Sequence, residues 1–371
     1  MMDKNDFLSL VREIADNKIS AIQEAGFAQP GHNGPYLDQD TPIRNSAHWL
    51  CTYSCLYRLY GEPRYLQMVK TLADYILREE HYGENGAVVF RYNKISDFSN
   101  GIIGPAWVIE ALIEAAKTLH DDQYYEKARQ LFLVEVFDED LRLWKIADID
   151  GSVVSIDYVY NHQVWFAASG SMICAYRYDA EIDRQVSLFL DNYNRNLLVQ
   201  PSGLLYHQVN FDYSPKGMFK KKIRSILCDL SIGGRMAGQK KLEKGYQLFD
   251  LYGLALLRCR YEEKAVFQDP KILKAVRYGL TSQNIRGLCT EKNINQYGFA
   301  YNSPAFEAGY VALAFLGGFD PDVEALTYDL QYHYFYDSST KMFAKNTKDP
   351  ETLTARVYEW MRYYEVSLKE N

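Results

Sequence analysis

The fold is read from one stretch, Asp157-Tyr158-Val159-Tyr160-Asn161-His162-Gln163-Val164-Trp165-Phe166-Ala167-Ala168-Ser169-Gly170. Its front end carries an acid, an amide, an imidazole and two tyrosines. Its back end, running on through Ser171, Met172, Ile173 and Ala175, is small and apolar, as in a helix buried on several sides. A buried helix with polar groups in its first turn directs them to one place, the mouth of a cavity. Asp157 there is also a good helix cap. Capping alone explains neither Asn161 nor His162 nor the tyrosines.

Outward from this stretch, nearly every long segment has helical periodicity, and two kinds of helix alternate. One kind is amphipathic and charged, near residues 5–25, 63–80, 122–137, 180–196, 269–283 and 320–336; Glu62-Pro63, Asp269-Pro270 and Asp320-Pro321 mark starts. The other kind is rich in Ala, Gly and aromatics, near 44–60, 101–119, 161–177, 246–261, 302–317 and 351–368. Such hairpins bury their apolar member only against neighbouring hairpins. Six of them predict an all-α, single-domain (α/α)6 barrel over residues 1–371, a six-hairpin toroid whose inner helices line a central cavity; an open α-solenoid is the alternative. The fourth inner helix starts late, which leaves a polar excursion at about 200–244, expected to be a loop or small hairpin over the barrel mouth.

Composition narrows the function classes. The net charge of −7 is spread without long blocks, which argues against nucleic acid as a partner. The basic run Lys220-Lys221-Lys222 with Arg224 is short and reads as a solvated face. The N-terminus lacks a signal-peptide core and no apolar run is long enough to span a bilayer, so neither a signal nor a membrane partner is expected. Six cysteines without a CxxC pair read as reduced packing residues of a cytoplasmic protein. The seven histidines show no ligand spacing, so no metal and no cofactor is expected. Tyr (31) outnumbers Phe (18), and a ring that also carries a hydroxyl suits a polar ligand such as a sugar.

In a toroid the segments leading into the inner helices converge on one face. They bring Tyr36, Asp38, Asp40, Arg44, His48 and Trp49 before the first inner helix, and Arg91, Asp97 and Asn100 before the second. Asp157, Asn161, His162 and Trp165 come with the third, His207 with the excursion, and Tyr301 and Glu307 with the fifth. Acids, amides and aromatic faces at one mouth fit a carbohydrate site. Structural roles compete throughout: Asp97 can cap a helix, Arg44 can bridge Asp38 or Asp40, and Trp49 can simply pack.

The run Val154-Ser155-Ile156-Asp157-Tyr158-Val159-Tyr160-Asn161, followed by Trp165-Phe166-Ala167-Ala168-Ser169, resembles the catalytic-aspartate segment of the unsaturated glucuronyl and rhamnogalacturonyl hydrolases. Gly203-Leu204-Leu205-Tyr206-His207 is similar to that family's later Gly-Leu-x-Tyr-His, and Asp97 is placed as its further acid. The family's Trp-x-Arg-Gly run is absent between Lys241 and Tyr246, and His162-Gln163 replaces its small stretch after the Asn. The resemblance implies an (α/α)6-barrel glycoside hydrolase acting on oligosaccharide or polysaccharide fragments. Asp157 would be its acid/base and Asp97 the partner acid, with Asn161, His162, Trp165, His207, Arg44, Trp49 and Tyr301 as substrate-binding candidates. A sugar epimerase or isomerase using His48, His162 or His207, and a non-catalytic glycan-binding protein, remain open alternatives.

Overall fold

The computed structural model of the protein describes residues 2–94 and 97–369. In chain order, α1 (Lys4–Ala25) leads to α2 (Ile43–Tyr60), α3 (Pro63–Ile76), α4 (Ile103–Leu119), α5 (Asp122–Val134), α6 (Tyr160–Tyr176) and α7 (Ala180–Asp191), which the short α8 (Tyr193–Asn196) extends. Then come α9 (Pro215–Asp229), α10 (Gly234–Tyr261), α11 (Pro270–Gly279), α12 (Ser282–Leu288), α13 (Pro304–Leu316), α14 (Pro321–Phe335), α15 (Pro350–Ala355) and α16 (Val357–Ser367). Helices α2, α4, α6, α10, α13 and α16 each pack on the next, and α16 packs back on α2, closing an inner ring. Helices α1, α3, α5, α7, α11 and α14 lie outside it. The fold is the (α/α)6 barrel.

The two rings follow from the two kinds of helix. Outer helices bury one stripe: α3 turns Tyr65, Met68, Val69, Leu72, Ala73 and Ile76 inward. Inner helices are buried on nearly every side, as α6 is from Tyr160 to Cys174, and small residues let the neighbours approach. Aspartate caps start the outer helices other than α3, whose N-cap Glu62 makes no side-chain cap bond. Asp3 forms a capping box with Asp6, and Asp179, Asp269 and Asp320 accept hydrogen bonds from first-turn amides, the last two followed by Pro.

Two segments depart from the sequence reading. The excursion near 200–244 is largely helical: α9 fills Pro215–Asp229, and the inner helix α10 begins at Gly234 rather than near 246. The stretch Arg235–Lys244 is polar and, Glu243 apart, exposed or only partly buried, so it shows no core-facing period, yet Ala, Gln, Lys, Leu and Glu are strong helix formers that extend α10 outward. The connection from α5 to α6 contains a three-stranded antiparallel sheet, β1 (Val136–Asp138), β2 (Leu143–Ala147) and β3 (Val153–Ile156). Its last strand ends one residue before Asp157, whose amide donates to Trp144 O on the neighbouring strand at 3.2 Å.

The last inner element is broken at Arg356, between α15 and α16, and that guanidinium turns into the ring. It donates to Glu307 (3.0 Å) and Glu359 (2.8 Å), to Tyr301 O (2.8 Å) and to the Asn302 amide oxygen, and it stacks 4.6 Å over Phe249. Burial pushes both glutamates above the usual carboxylate range, against the pull of Arg356. Removing the cation leaves them with no counter-charge in a dry interior. Arg356→Met is expected to lower stability by about 3–5 kcal/mol, read as a shift of the denaturant midpoint at unchanged slope.

Candidate active site

A cavity of about 340 Å3 opens at the end of the barrel where the inner helices begin. Ile103 and Trp107 of α4, Asn161 and His162 of α6, and Tyr246 and Phe249 of α10 line it. Loops add Tyr36, Asp38, Arg91, His207 and Tyr301. One wall is aromatic: Tyr36 and Tyr246 hydroxyls are 2.9 Å apart, and Tyr297 and Tyr301 lie within 6.4 Å of the Tyr36 ring.

Asp157 sits behind this lining, 2% exposed. Its Oδ1 accepts from Val159 N (3.1 Å), and its Oδ2 accepts from Ile102 N (3.1 Å). The same Oδ2 lies 2.7 Å from His162 Nδ1. A carboxylate at Nδ1 fixes the proton there and leaves Nε2 as the ring's free nitrogen, on a side chain that lines the cavity. Gln163 holds the turn, its Nε2 donating to both Asp157 O and Trp144 O at 2.8 Å.

Asp97, 1% exposed, accepts from Gly101 N at 2.8 Å and from Ser99 Oγ at 3.3 Å. The two acids therefore hold successive amides, Gly101 and Ile102, at the start of α4. Asp97 thereby braces the turn ahead of α4, whose own N-cap, Ile102, makes no side-chain cap bond. Ile95 and Ser96, just before it, lie outside the described residues. Glu135, buried in the same region, accepts from Ala147 N at 2.8 Å; burial first, then Asp157 and Asp97, pushes its carboxyl well above the usual range.

His207 also lines the cavity, with His162 as a neighbour. Its Nδ1 lies 3.5 Å from the Asn161 amide nitrogen and its ring 4.7 Å from Tyr246. Burial, with the neighbouring His162, pushes its pKa down to about 3, so it is neutral at physiological pH. Asp250, fully buried on α10, is pushed well above the carboxylate range by burial, and the Asn161 amide only partly offsets this.

The remaining candidates divide into four groups. Tyr301 reaches the lining; its hydroxyl donates to Asn33 Oδ1 at 2.8 Å and accepts from Arg44 Nη2 at 2.9 Å. Arg44 lies one layer back, fully buried, bridged to Asp40 at 3.0 Å and stacked on Trp107. Trp165 and Trp49 lie in the helix packing. Trp165 stacks on Phe249 and donates to its carbonyl at 3.2 Å, while Trp49 packs on Tyr53. His48 is buried beneath the floor, stacked on Tyr358. Asn33, Trp107, Tyr246 and Phe249 had escaped the sequence reading. Trp107 lies one turn inside α4, whereas Tyr246 and Phe249 lie more than three turns inside α10, around the place where the sequence puts that helix's start. Asn33 carries no such signal.

Gly101 makes the Asp157–His162 contact possible. It has φ of +61°, and a Cβ there would collide with Asp157 Oδ2 and approach His162 Nδ1 within 2.7 Å. Gly101→Ala is expected to cost about 1–3 kcal/mol of strain and to displace His162, seen as a changed imidazole resonance in NMR. For His207 the sign is explicit. The unfolded imidazole binds a proton below about 6.5 and the folded one only near 3. Between those values the unfolded state holds more protons, so stability falls as pH drops. His207→Gln is expected to flatten that acid limb by up to about 1.4 kcal/mol per pH unit, measured by denaturation against pH.

No model of a known protein family matches the chain. The barrel is similar to D-mannose isomerase (TM-score 0.64, 15% identity, 97% of each chain) and to cellobiose 2-epimerase from Bacillus thermoamylovorans (0.62, 13%, 96% of this chain and 99% of that one). It is also similar to an α-1,6-mannanase of Salegentibacter (0.53, 15%, 95% and 99%). At these identities the likeness is one of fold. In sequence, the chain is 30% identical over 365 residues to archaeal glycosylation protein Q of Haloferax volcanii, covering 95% of this chain and 97% of that protein. Over that length the chain belongs to the family of archaeal glycosylation protein Q.

Proposed function

We propose that the protein is a sugar isomerase or epimerase, in which His162 moves a proton at the carbon beside a sugar carbonyl. One observation carries this reading. The Asp157 carboxylate is occupied by two backbone amides and by His162 Nδ1, so of this pair the imidazole, not the carboxylate, meets the cavity. Asp157 is then a positioning residue that sets the tautomer of the base, the logic of an acid–histidine pair.

The chemistry needs a base, a polarising donor and a wall. His162 Nε2 would take the proton from the carbon next to the carbonyl, giving an enediolate; the proton returned to the former carbonyl carbon, with the hydroxyl proton passing between the two oxygens, gives the isomer, and the proton returned to the opposite face of the first carbon after the enediolate turns in the cavity gives the epimer. A neutral His207 can donate a hydrogen bond to the carbonyl oxygen without surrendering a full proton. Tyr36, Tyr246 and Tyr301 would flank the sugar ring, and Arg91, 3.5 Å from Asp38, would hold hydroxyls.

Ordinary glycoside hydrolysis needs two carboxyls flanking one bond. Among the described residues lining the cavity, Asp38 alone has a carboxylate, and it is paired with Arg91. The uronyl-hydrolase resemblance supports hydrolysis through Asp157, so the experiment must separate the two. The family membership supports a sugar destined for a glycan.

The protein is to be incubated in D2O with free aldoses, uronic acids and unsaturated uronyl oligosaccharides, followed by NMR. Deuterium entering C2 together with a new isomer or epimer is the expected result. His162→Ala and Asp157→Asn should each lower kcat by roughly 10²–10⁴, with KM little changed. Release of sugar from the unsaturated oligosaccharides with no C2 exchange in any aldose would overturn the proposal in favour of the hydrolase. Glycan binding without turnover would overturn it in favour of a binding protein.

A further inference from the structure

Helix α9, which carries the basic run, presents an apolar stripe to solvent. Phe219 and Leu230 are 66% and 65% exposed, and Ile223, Ile226 and Leu227 between them are exposed as well. Their spacing places all five on one side of the helix, across about 100° of its circumference. The opposite side is the one that packs. Ser225 and Cys228 are buried there, Cys228 Sγ donates to Glu243 Oε2 at 3.1 Å, and Asp229 accepts from Ser202 N at 2.9 Å. The stripe is therefore not a core face turned the wrong way; α9 has its core face elsewhere.

Cations flank the stripe. Lys220 and Arg224 border one edge, Lys222 the other, and Lys216 lies at its N-terminal end; all four are exposed, and none is in an ion pair among the described residues. A helix with an apolar face bordered by unpaired lysines is the pattern that lies in a membrane interface. We propose that α9 docks the protein on the surface of an anionic lipid bilayer, with the apolar stripe in the acyl boundary and the flanking cations at the headgroups.

Charge decides between this occupant and a second copy of the chain. A two-fold contact through the stripe would set Lys220, Lys222 and Arg224 against the same residues of the partner, with like charges opposed. An anionic bilayer instead neutralises them, against the background of a chain of net charge −7. The docked face adjoins the cavity. Tyr158 and Gln208 line both the cavity and a groove of about 290 Å3 that runs on to Phe211, Lys220 and Arg224. Docking would hold the cavity rim at the bilayer surface. The sequence reading expected no membrane partner because it looked for spanning runs, and no helix among the described residues is long and apolar enough to cross a membrane. Lying on a membrane requires neither.

The test is sedimentation of the full chain with vesicles, which does not depend on the proposed catalysis. The protein is expected to pellet with phosphatidylglycerol–phosphatidylcholine vesicles, not with phosphatidylcholine alone, and to be released by salt. Lys220→Gln with Lys222→Gln should weaken partitioning roughly 30-fold at low salt. Phe219→Ser with Leu230→Ser should also abolish pelleting, while the thermal midpoint stays put because both side chains are exposed. No pelleting with anionic vesicles, or pelleting that neither variant weakens, overturns the proposal. So does a dimer in solution that the Phe219→Ser, Leu230→Ser variant dissolves without any vesicle binding, which would assign the stripe to a second copy.

Discussion

Two buried arginines set the conditions for everything at the mouth of this barrel. Inner helices that are apolar on all sides can stack into a ring, but their first turns and the loops leading into them bring polar groups into a dry interior. Arg356 meets that need between α13 and α16, pairing with Glu307 and Glu359 and binding the carbonyl of Tyr301. Arg44 meets it at α2, with Asp40, Asn33 and the Tyr301 hydroxyl. Tyr301 touches both arginines, so one side chain of the cavity wall is fixed by the network that closes the ring. A guanidinium suits this place because it stays charged when buried and reaches several acceptors in one plane.

The Asp157–His162 pair depends on a different constraint, the approach of backbone to side chain. Three elements meet there: the strand that ends at Ile156, the first turn of α6, and the positive-φ corner at Asn100-Gly101 before α4. The corner supplies the Ile102 amide to Asp157 and, through its neighbour, the Gly101 amide to Asp97. The two acids are thereby tied to successive residues of one corner, Asp97 to Gly101 and Asp157 to Ile102. A carboxylate so occupied is poorly placed to attack or to donate a proton by itself, and well placed to hold an imidazole. That occupancy is what supports the proposed role of His162 as the base, where the motif resemblance implies Asp157.

The architecture was legible in the sequence because it rests on local, repeated signals. Period-3.6 stripes, aspartate caps and Pro starts fixed the outer helices to within a few residues, and uniformly apolar runs with Ala and Gly marked the inner ones. Counting six such pairs was enough to name the barrel. The Arg235–Lys244 extension of α10 and the sheet before Asp157 were not legible. Polar helix and short strand carry little periodicity, and what stabilises them is packing on distant parts of the chain.

The site was legible as a list and not as an arrangement. The residue types at the helix starts determined that acid, amide, imidazole and aromatic groups would gather at one end, since every inner helix begins on the same face of a toroid. Which of them face the cavity depended on contacts between residues far apart in sequence. Trp165 and Asn161 are a turn apart on one helix, yet one packs against Phe249 and the other lines the cavity. Asp157 Oδ2 is held between His162 and the Ile102 amide, 55 residues away, while Val159 N takes its other oxygen. Sequence by itself determined the six pairs of outer and inner helices and the chemistry available. Tertiary structure decided orientation and burial, because a side chain's direction and protonation are set by neighbours that only the closed ring brings together.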